Sequence, residues 1–329
     1  MTMQLCMLLP PKPDRRWALA RQMGITHAIT KCAPELTGED PPHVPGVLER
    51  TVRRFADAGF SVIGLEGDQF DYSAFKLGLP GREAALENYR IMLAQAGRLG
   101  IGFICQNFMC GTGWFRTDTE VQGRGGAVTS RFVAADAAKA LPSGEPRDAA
   151  AIWANLEAFL RAVLPAAERA GVDIALHPDD PPVPSLRGVA RVLTSAAALE
   201  RACTLVPSPA AKITFCQGTL STAGEDLVAA VGRLAPRIRF IHVRDVQGNR
   251  DAFTETFPDE GQTDMVALFQ AYAAAGLDVP IRPDHAPTMA GDAHGTLGTG
   301  GGIAVGYEAT GMVYTVGWMR GLMRATGLG

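Results

Sequence analysis

Eight short apolar runs, most of them followed by a helical pattern, restrict the folds open to this chain more than any other feature. The runs are Gln4 to Leu9, His27 to Lys31, Phe60 to Glu66, Ile101 to Asn107, Ile174 to His177, Lys212 to Cys216, Ile238 to His242 and Val279 to His285. Helical patterns lie between them at Asp14 to Met23, Pro45 to Ala58, Glu83 to Leu99, Ala149 to Ala170, Val189 to Ala202, Gly224 to Leu234 and Asp264 to Gly276, and a last one runs from Tyr307 to Thr326. A helix returning the chain between strands makes neighbouring strands parallel, and eight such units predict a closed (β/α)8 TIM barrel. An open doubly wound sheet is the competing arrangement, but no glycine-rich turn follows the first run. The glycines of 295–302 follow no strand and read as a loop. A single barrel domain over residues 1–329 accounts for the length. Phe108 to Arg147, after the fourth strand, is a long excursion rich in Gly, Thr and Arg with weak periodicity, and a loop of that length is expected to be functional or mobile.

Charge and cysteine usage remove several classes of function. A net charge of −3 offers no basic footprint for neutralising phosphates, so nucleic acid is not an expected partner. The apolar start before Pro10 is too short for a signal peptide, and no later run approaches a membrane span. Cys6, Cys32, Cys105, Cys110, Cys203 and Cys216 lack paired spacing, which predicts reduced thiols and a cytoplasmic protein.

The last four strands each end in a residue able to bind a metal: His177, Cys216, His242, and Asp284 followed by His285. In such barrels the C-terminal strand ends converge on one mouth, so the four point at a common place. A lone histidine at a strand end is ordinarily a satisfied polar residue, and a lone cysteine a small buried hydrophobe. Four at consecutive strand ends fit chance poorly. A thiolate, two imidazoles and a carboxylate suit a divalent transition metal, with Mn2+, Fe2+, Co2+ and Zn2+ all compatible by ligand type.

The run Leu176-His177-Pro178-Asp179-Asp180-Pro181-Pro182 resembles a signature segment of the mannonate dehydratases, metal-dependent lyases built on a xylose-isomerase-like barrel. Similar stretches are Lys76-Leu77-Gly78-Leu79-Pro80-Gly81-Arg82, Glu87-Asn88-Tyr89, Asn107-Phe108-Met109, Trp114-Phe115-Arg116-Thr117-Asp118, Phe215-Cys216-Gln217-Gly218-Thr219-Leu220, His242-Val243-Arg244-Asp245-Val246 and Arg282-Pro283-Asp284-His285. They occur in family order. The resemblance implies that His177, Cys216, His242 and Asp284 hold the ion, usually Mn2+, with Mg2+ a further alternative, and that His285 is a catalytic histidine beside it. It also implies loss of water from a sugar acid to give a 2-keto-3-deoxy acid through a metal-stabilised enediolate, and suggests a homodimer by analogy.

The chain also departs from the family. His285 is followed by Ala286-Pro287 where the family has Gly-Arg. Phe253-Thr254-Glu255 stands for a Phe-His-Glu core, and Ile303 aligns with a catalytic tyrosine. Tyr307 replaces that tyrosine as a catalytic group only if the loop is displaced by about one helical turn. A sugar isomerase or epimerase on the same metal platform, or a non-catalytic sugar-acid-binding relative, is the alternative reading.

Other polar residues complete the candidate set. Arg82 and Arg116 are carboxylate-clamp candidates because a guanidinium fork matches a carboxylate. Arg282 joins them on the strength of the resemblance. Glu66 and Asn107 end the third and fourth strands and face the same mouth, and Trp114 is placed to stack on a sugar or to form an aromatic lid. Asp179 is expected to hold its loop rather than touch substrate. His27, His43 and His294 show no partner pattern.

Overall fold

A computed structural model describes residues 2–292 and 305–329. The glycine-rich stretch, His294 and Ile303 lie outside the described residues. Eight parallel strands close into a barrel. β1 comprises two ladder halves, Gln4–Leu5 and Met7–Leu8; β2 is His27–Thr30, β3 Ser61–Glu66, β4 Phe103–Asn107, β5 Asp173–His177, β6 Ala211–Cys216, β7 Ile238–Val243 and β8 Pro280–Pro283. The first half of β1 pairs with β8 and the second with β2, which closes the ring. At the break, the Cys6 N–H donates to the Ile281 carbonyl at 2.9 Å.

Strand side chains alternate between faces with a period of two, and this alternation builds the inside of the barrel. Cys6, Ile29, Phe103, Cys105, Ala175 and Phe240 form a buried cluster there, separate from the larger core between strands and helices. Phe103 and Phe240 lie 4.9 Å apart by ring centroid and make its floor. Gly64 leaves room for the Phe103 ring, which a Cβ at that position would strike. Two residues beyond Phe240 on β7, His242 sets its ring edge-on to Phe240 at 4.7 Å. The same step of two carries Ala175 to His177 on β5 and Thr214 to Cys216 on β6.

Helix ends follow local chemistry. Asp14, Asp148, Ser195, Asp226 and Asp264 each cap a helix by accepting a backbone N–H, and Gly171 ends Ala149–Ala170 in the left-handed region that glycine enters freely. Two expectations are corrected. The segment expected as a helix from Val189 begins as a small hairpin, Ser185–Leu186 against Val189–Ala190, turned by Arg187 and Gly188, both with positive φ. Its helix is Ala196–Leu205, delayed because Asp179 Oδ2 holds the Val192 and Leu193 amides at 2.8 and 2.9 Å. That bond is the loop-holding role expected of Asp179.

The excursion after β4 is the second correction, because it is structured. Asp118–Gln122 and Val128–Val133 pair antiparallel and join a hairpin of Asp245–Asn249 and Ala252–Thr256 in a four-stranded sheet. Phe132, Val183, Leu186, Val246 and Phe253 pack beneath it. Its partners are more than 100 residues apart in sequence, and Asp118–Gln122 buries neither face fully, so no amphipathic period announces it. All six cysteines are free, and among the described residues no helix is long and apolar enough to cross a membrane.

Gly97 lies in the helix Arg82–Arg98 where it crosses Ala149–Ala170, and a Cβ there would run into the backbone oxygen of Ala170. Helix propensity alone favours Gly97→Ala by about 1 kcal/mol. The close approach reverses the sign, and the variant is expected to lose about 2 kcal/mol. A shift of the urea midpoint to lower concentration checks this; an unchanged or higher midpoint counts against the crossing.

Candidate metal and substrate site

The strand ends converge as expected. His177, Cys216 and His242 offer ligand atoms that all lie within 4.8 Å of one another. The Cys216 thiol donates to Asp284 Oδ2 at 3.7 Å, and that oxygen is 3.9 Å from His242 Nδ1. His177 Nε2 and His242 Nδ1 face each other at 3.2 Å.

Hydrogen bonding orients both rings. The Pro178 carbonyl, 2.6 Å from His177 Nδ1, can only accept, so Nδ1 carries the proton and Nε2 presents a lone pair. His242 Nε2 faces Glu66 Oε2 at 3.4 Å, while an Arg282 N–H donates to Nδ1 at 3.3 Å, which marks Nδ1 as the unprotonated nitrogen, its lone pair shared between Arg282 and the donor set. Burial holds the His177 pKa below its ordinary value, partly offset by Asp284 and Glu66, which favours the neutral, metal-binding form. Two imidazole lone pairs, a thiol and a carboxylate converging in this way fit a divalent cation.

Around these donors runs a buried ion network. Arg282 donates to both oxygens of Glu66, at 3.0 and 2.5 Å, and lies 3.1 Å from Asp284. Arg244 reaches Asp284 at 3.0 Å, Asp180 at 2.9 Å, Glu255 at 3.4 Å and the Thr219 hydroxyl at 2.9 Å. Burial alone would raise the Glu66 pKa, but Arg282 and His242 hold it down at about 2. Asp284 is likewise held well below the usual carboxylate range, burial being outweighed by His285, Arg282, His242 and Arg244.

His285 follows Asp284 at the end of β8. Its Nδ1 bonds Glu255 at 2.8 Å, and its ring lies edge-on to Trp114 at 5.3 Å and to Tyr307 at 5.1 Å. Burial would lower its pKa, yet Glu255 and Asp284 raise it overall, so it holds its proton more tightly than a free imidazole. The Tyr307 hydroxyl donates to Asp284 Oδ1 at 2.5 Å and accepts from Arg282 at 3.1 Å. The tyrosine just before the last helix therefore reaches the donor set. A cavity of about 730 Å3 opens over these groups, with Glu66, Asn107, Trp114, His177, His242, Arg282, Asp284, His285 and Tyr307 in its wall.

Two clamp candidates are placed elsewhere. Arg82 sits exposed at the start of its helix, paired with Glu83 at 3.2 Å, beside a separate shallow pocket. Arg116 is buried and fully occupied: it donates to both Asp180 oxygens at 2.7 and 2.9 Å and to Glu255. Its guanidinium lies over Trp114 and Phe253, each 4.7 Å away. Asn107 lines the cavity but spends its side chain on Lys76 and Asp68. Sequence reasoning gave no site role to Asp180, Arg244, Glu255, Lys76 or Asp68. Asp180, Lys76 and Arg244 lie within the family-like stretches and Glu255 within the Phe253-Thr254-Glu255 segment, which was the available signal. Glu255 enters the site only through the additional sheet.

Comparison with known proteins places the chain among relatives of one family. A family model described as D-mannonate dehydratase matches residues 47–143 and 138–327. The mannonate dehydratase of Streptococcus equi subsp. zooepidemicus is 31% identical over 310 residues, covering 85% of this chain and 83% of its own. That of Shouchella clausii is 35% identical over 246 residues, covering 64% and 68%. The crystal structure of mannonate dehydratase from Streptococcus suis serotype 2 superposes with a TM-score of 0.86 at 28% identity, covering 99% of this chain and 96% of that one. An L-ribulose 3-epimerase shares the fold alone, with a TM-score of 0.64 at 14% identity, covering 99% and 96%.

Arg116 and Arg82 should behave oppositely on substitution. Arg116→Met leaves Asp180 and Glu255 short of a buried counter-charge and is expected to cost about 3 kcal/mol in urea unfolding. Arg82→Ala is expected to change stability by less than about 0.5 kcal/mol and to leave sugar-acid binding intact. A folded, stable Arg116→Met protein that had lost only ligand affinity would restore the clamp role.

Proposed function

The chain belongs to the D-mannonate dehydratase family, and from that membership we propose that it is a divalent-metal-dependent hydro-lyase that removes water from a sugar acid by way of an enediolate, releasing a 2-keto-3-deoxy acid. The observation that carries the metal dependence is the convergence of His177, Cys216 and His242, whose ligand atoms lie within 4.8 Å of one another, with Asp284 beside Cys216 at 3.7 Å. In this reading those four residues hold the cation, Mn2+ by family analogy. When bound, the cation supplies a Lewis acid that polarises the substrate carboxylate and neighbouring hydroxyl and makes the C2 proton easier to remove.

The protein's own groups handle position and protons. Glu66 and Arg282 fix the His242 ring from opposite sides, so that Nδ1 points at the donor set. His285, held by Glu255 through Nδ1 and protonated more readily than a free imidazole, delivers a proton to the departing C3 hydroxyl. Tyr307 takes the part of the family tyrosine as the second proton-handling group: burial and Asp284 keep its proton on at rest, against the pull of Arg282, and its oxygen takes the C2 proton as its own hydroxyl proton passes to Asp284 Oδ1 along their 2.5 Å bond. Trp114 lines the cavity beside these groups, its ring edge-on to His285. The thiol in the donor set requires reducing surroundings, in keeping with a cytoplasmic enzyme.

Mn2+-loaded protein is expected to convert one or more members of a panel of aldonic and uronic acids to a 2-keto-3-deoxy product by NMR, with activity lost to a chelator and regained with Mn2+. Inverted stereochemistry without loss of water would replace dehydration by epimerisation. Binding without turnover would make the chain a sugar-acid-binding relative. Cys216→Ser is expected to lower metal content by elemental analysis and to abolish turnover, and unchanged metal content would remove the thiol from the ligand set. Tyr307→Phe is expected to lower kcat by about a hundredfold with metal content unchanged. Full activity in that variant would exclude the hydroxyl from the chemistry.

A further inference from the structure

One charged group in the cavity wall has no part in the dehydration chemistry. Asp68 lies two residues beyond the end of β3, in the same cavity as His177, His242 and Asp284. Lys76 donates to both of its oxygens, at 2.7 and 2.8 Å, and to Asn107 Oδ1 at 2.8 Å. Asn107 returns an amide N–H to Asp68 Oδ1 at 3.1 Å. Exposure separates the partners: the Lys76 side chain is 3% exposed, that of Asp68 35%. The ammonium thus sits behind the carboxylate with its three donors used.

An incoming ligand meets acceptor oxygens at this place. A carboxylate offers about four lone-pair positions. Lys76 and Asn107 take three, so capacity is left for a hydroxyl donor. The other cationic side chains of the cavity wall each have a carboxylate partner among the described residues: Lys31 has Glu35 at 2.8 Å in an exposed pair at the rim, Arg282 has Glu66 and Asp284, and His285 has Glu255. Arg82 and Arg116 do not reach the wall. A second anionic group on a ligand would find no unpaired cation there and would face the Asp68 carboxylate. Asn107 is in register with His177 on the neighbouring strand, about one strand spacing, ~4.8 Å, away, and Asp68 follows the strand on the other side of Asn107.

We propose that Asp68, backed by Lys76 and Asn107, is a specificity-determining residue that accepts hydroxyls from the uncharged tail of a sugar acid and rejects a second carboxylate or a phosphate at that end. This rests on the sugar-acid reading of the same site. A purely structural triad, tying the loop after β3 to β4 and the helix Ser73–Leu77, accounts for the burial of Lys76. It does not require the carboxylate to face the cavity.

Calorimetric titration of the Mn2+-loaded protein with D-mannonate, D-gluconate and the matching aldarates, whose terminal hydroxymethyl is a carboxylate, tests the assignment. The aldonates are expected to bind at least about tenfold more tightly than their aldarates. Asp68→Asn leaves the Lys76 charge uncompensated and is expected to shrink that preference about tenfold, chiefly by tighter aldarate binding. Asp68→Glu is expected to keep it. Equal binding of aldonate and aldarate by the wild type, no binding of any of them, or an unchanged ratio in folded Asp68→Asn would overturn the proposal. If Asp68→Asn does not fold, the wild-type ratio and Asp68→Glu decide it. Turnover is read on the same samples: a wild type that binds with the expected preference but converts nothing overturns the dehydratase reading and supports this one.

Discussion

The buried guanidinium of Arg244 is the interaction on which the arrangement of the mouth depends. It joins Asp180 of the loop after β5, Thr219 after β6, Asp284 just beyond β8 and Glu255 of the additional sheet. Removing so many charges from water is costly unless each is paired with good geometry. Here Arg116 and Arg282 supply the remaining donors that Asp180, Glu255 and Glu66 need. The network thus fixes four separate chain segments relative to one another. Gly218 belongs to it by absence, since a Cβ there would meet the Arg244 side chain.

Beneath the network the barrel supplies direction. Because side chains alternate along a strand, the apolar floor of Phe103 and Phe240 and the polar donors two residues further on are consequences of one geometry. Gly64 lets the floor be aromatic, and His242 rests on it. His242 touches both halves of the site: Nδ1 toward His177, Nε2 toward Glu66. The fold by itself is shared with sugar epimerases at 14% identity, so these side chains rather than the barrel set the chemistry.

The additional sheet reaches the barrel mouth through single side chains and not as a cover. Its strand Ala252–Thr256 presents Glu255, which orients His285, while the excursion brings Trp114 over the same ring. Tyr307 completes the wall from the other side of the loop after β8. The aligned family tyrosine position, Ile303, lies outside the described residues, yet a phenol hydroxyl reaches Asp284 and Arg282 from Tyr307.

What the sequence determined by itself is whatever depends on local periodicity and spacing. Eight apolar runs, capping residues such as Asp14 and Asp264, and ligand-type residues at four successive strand ends were legible because each is a short-range pattern. The fold rule that sends strand ends to one mouth did the rest. Tertiary structure alone decided which charges are free to act. Arg116 and Arg82 look alike as guanidinium groups in a chain, but one is buried between Asp180 and Glu255 and the other is solvated beside Glu83. The sheet joining 118–133 to 245–256 was hidden because the pairing that joins its two halves spans more than 100 residues and its outer strand buries no complete face. Desolvation and pairing depend on neighbours brought together by folding, so they leave no mark in sequence order.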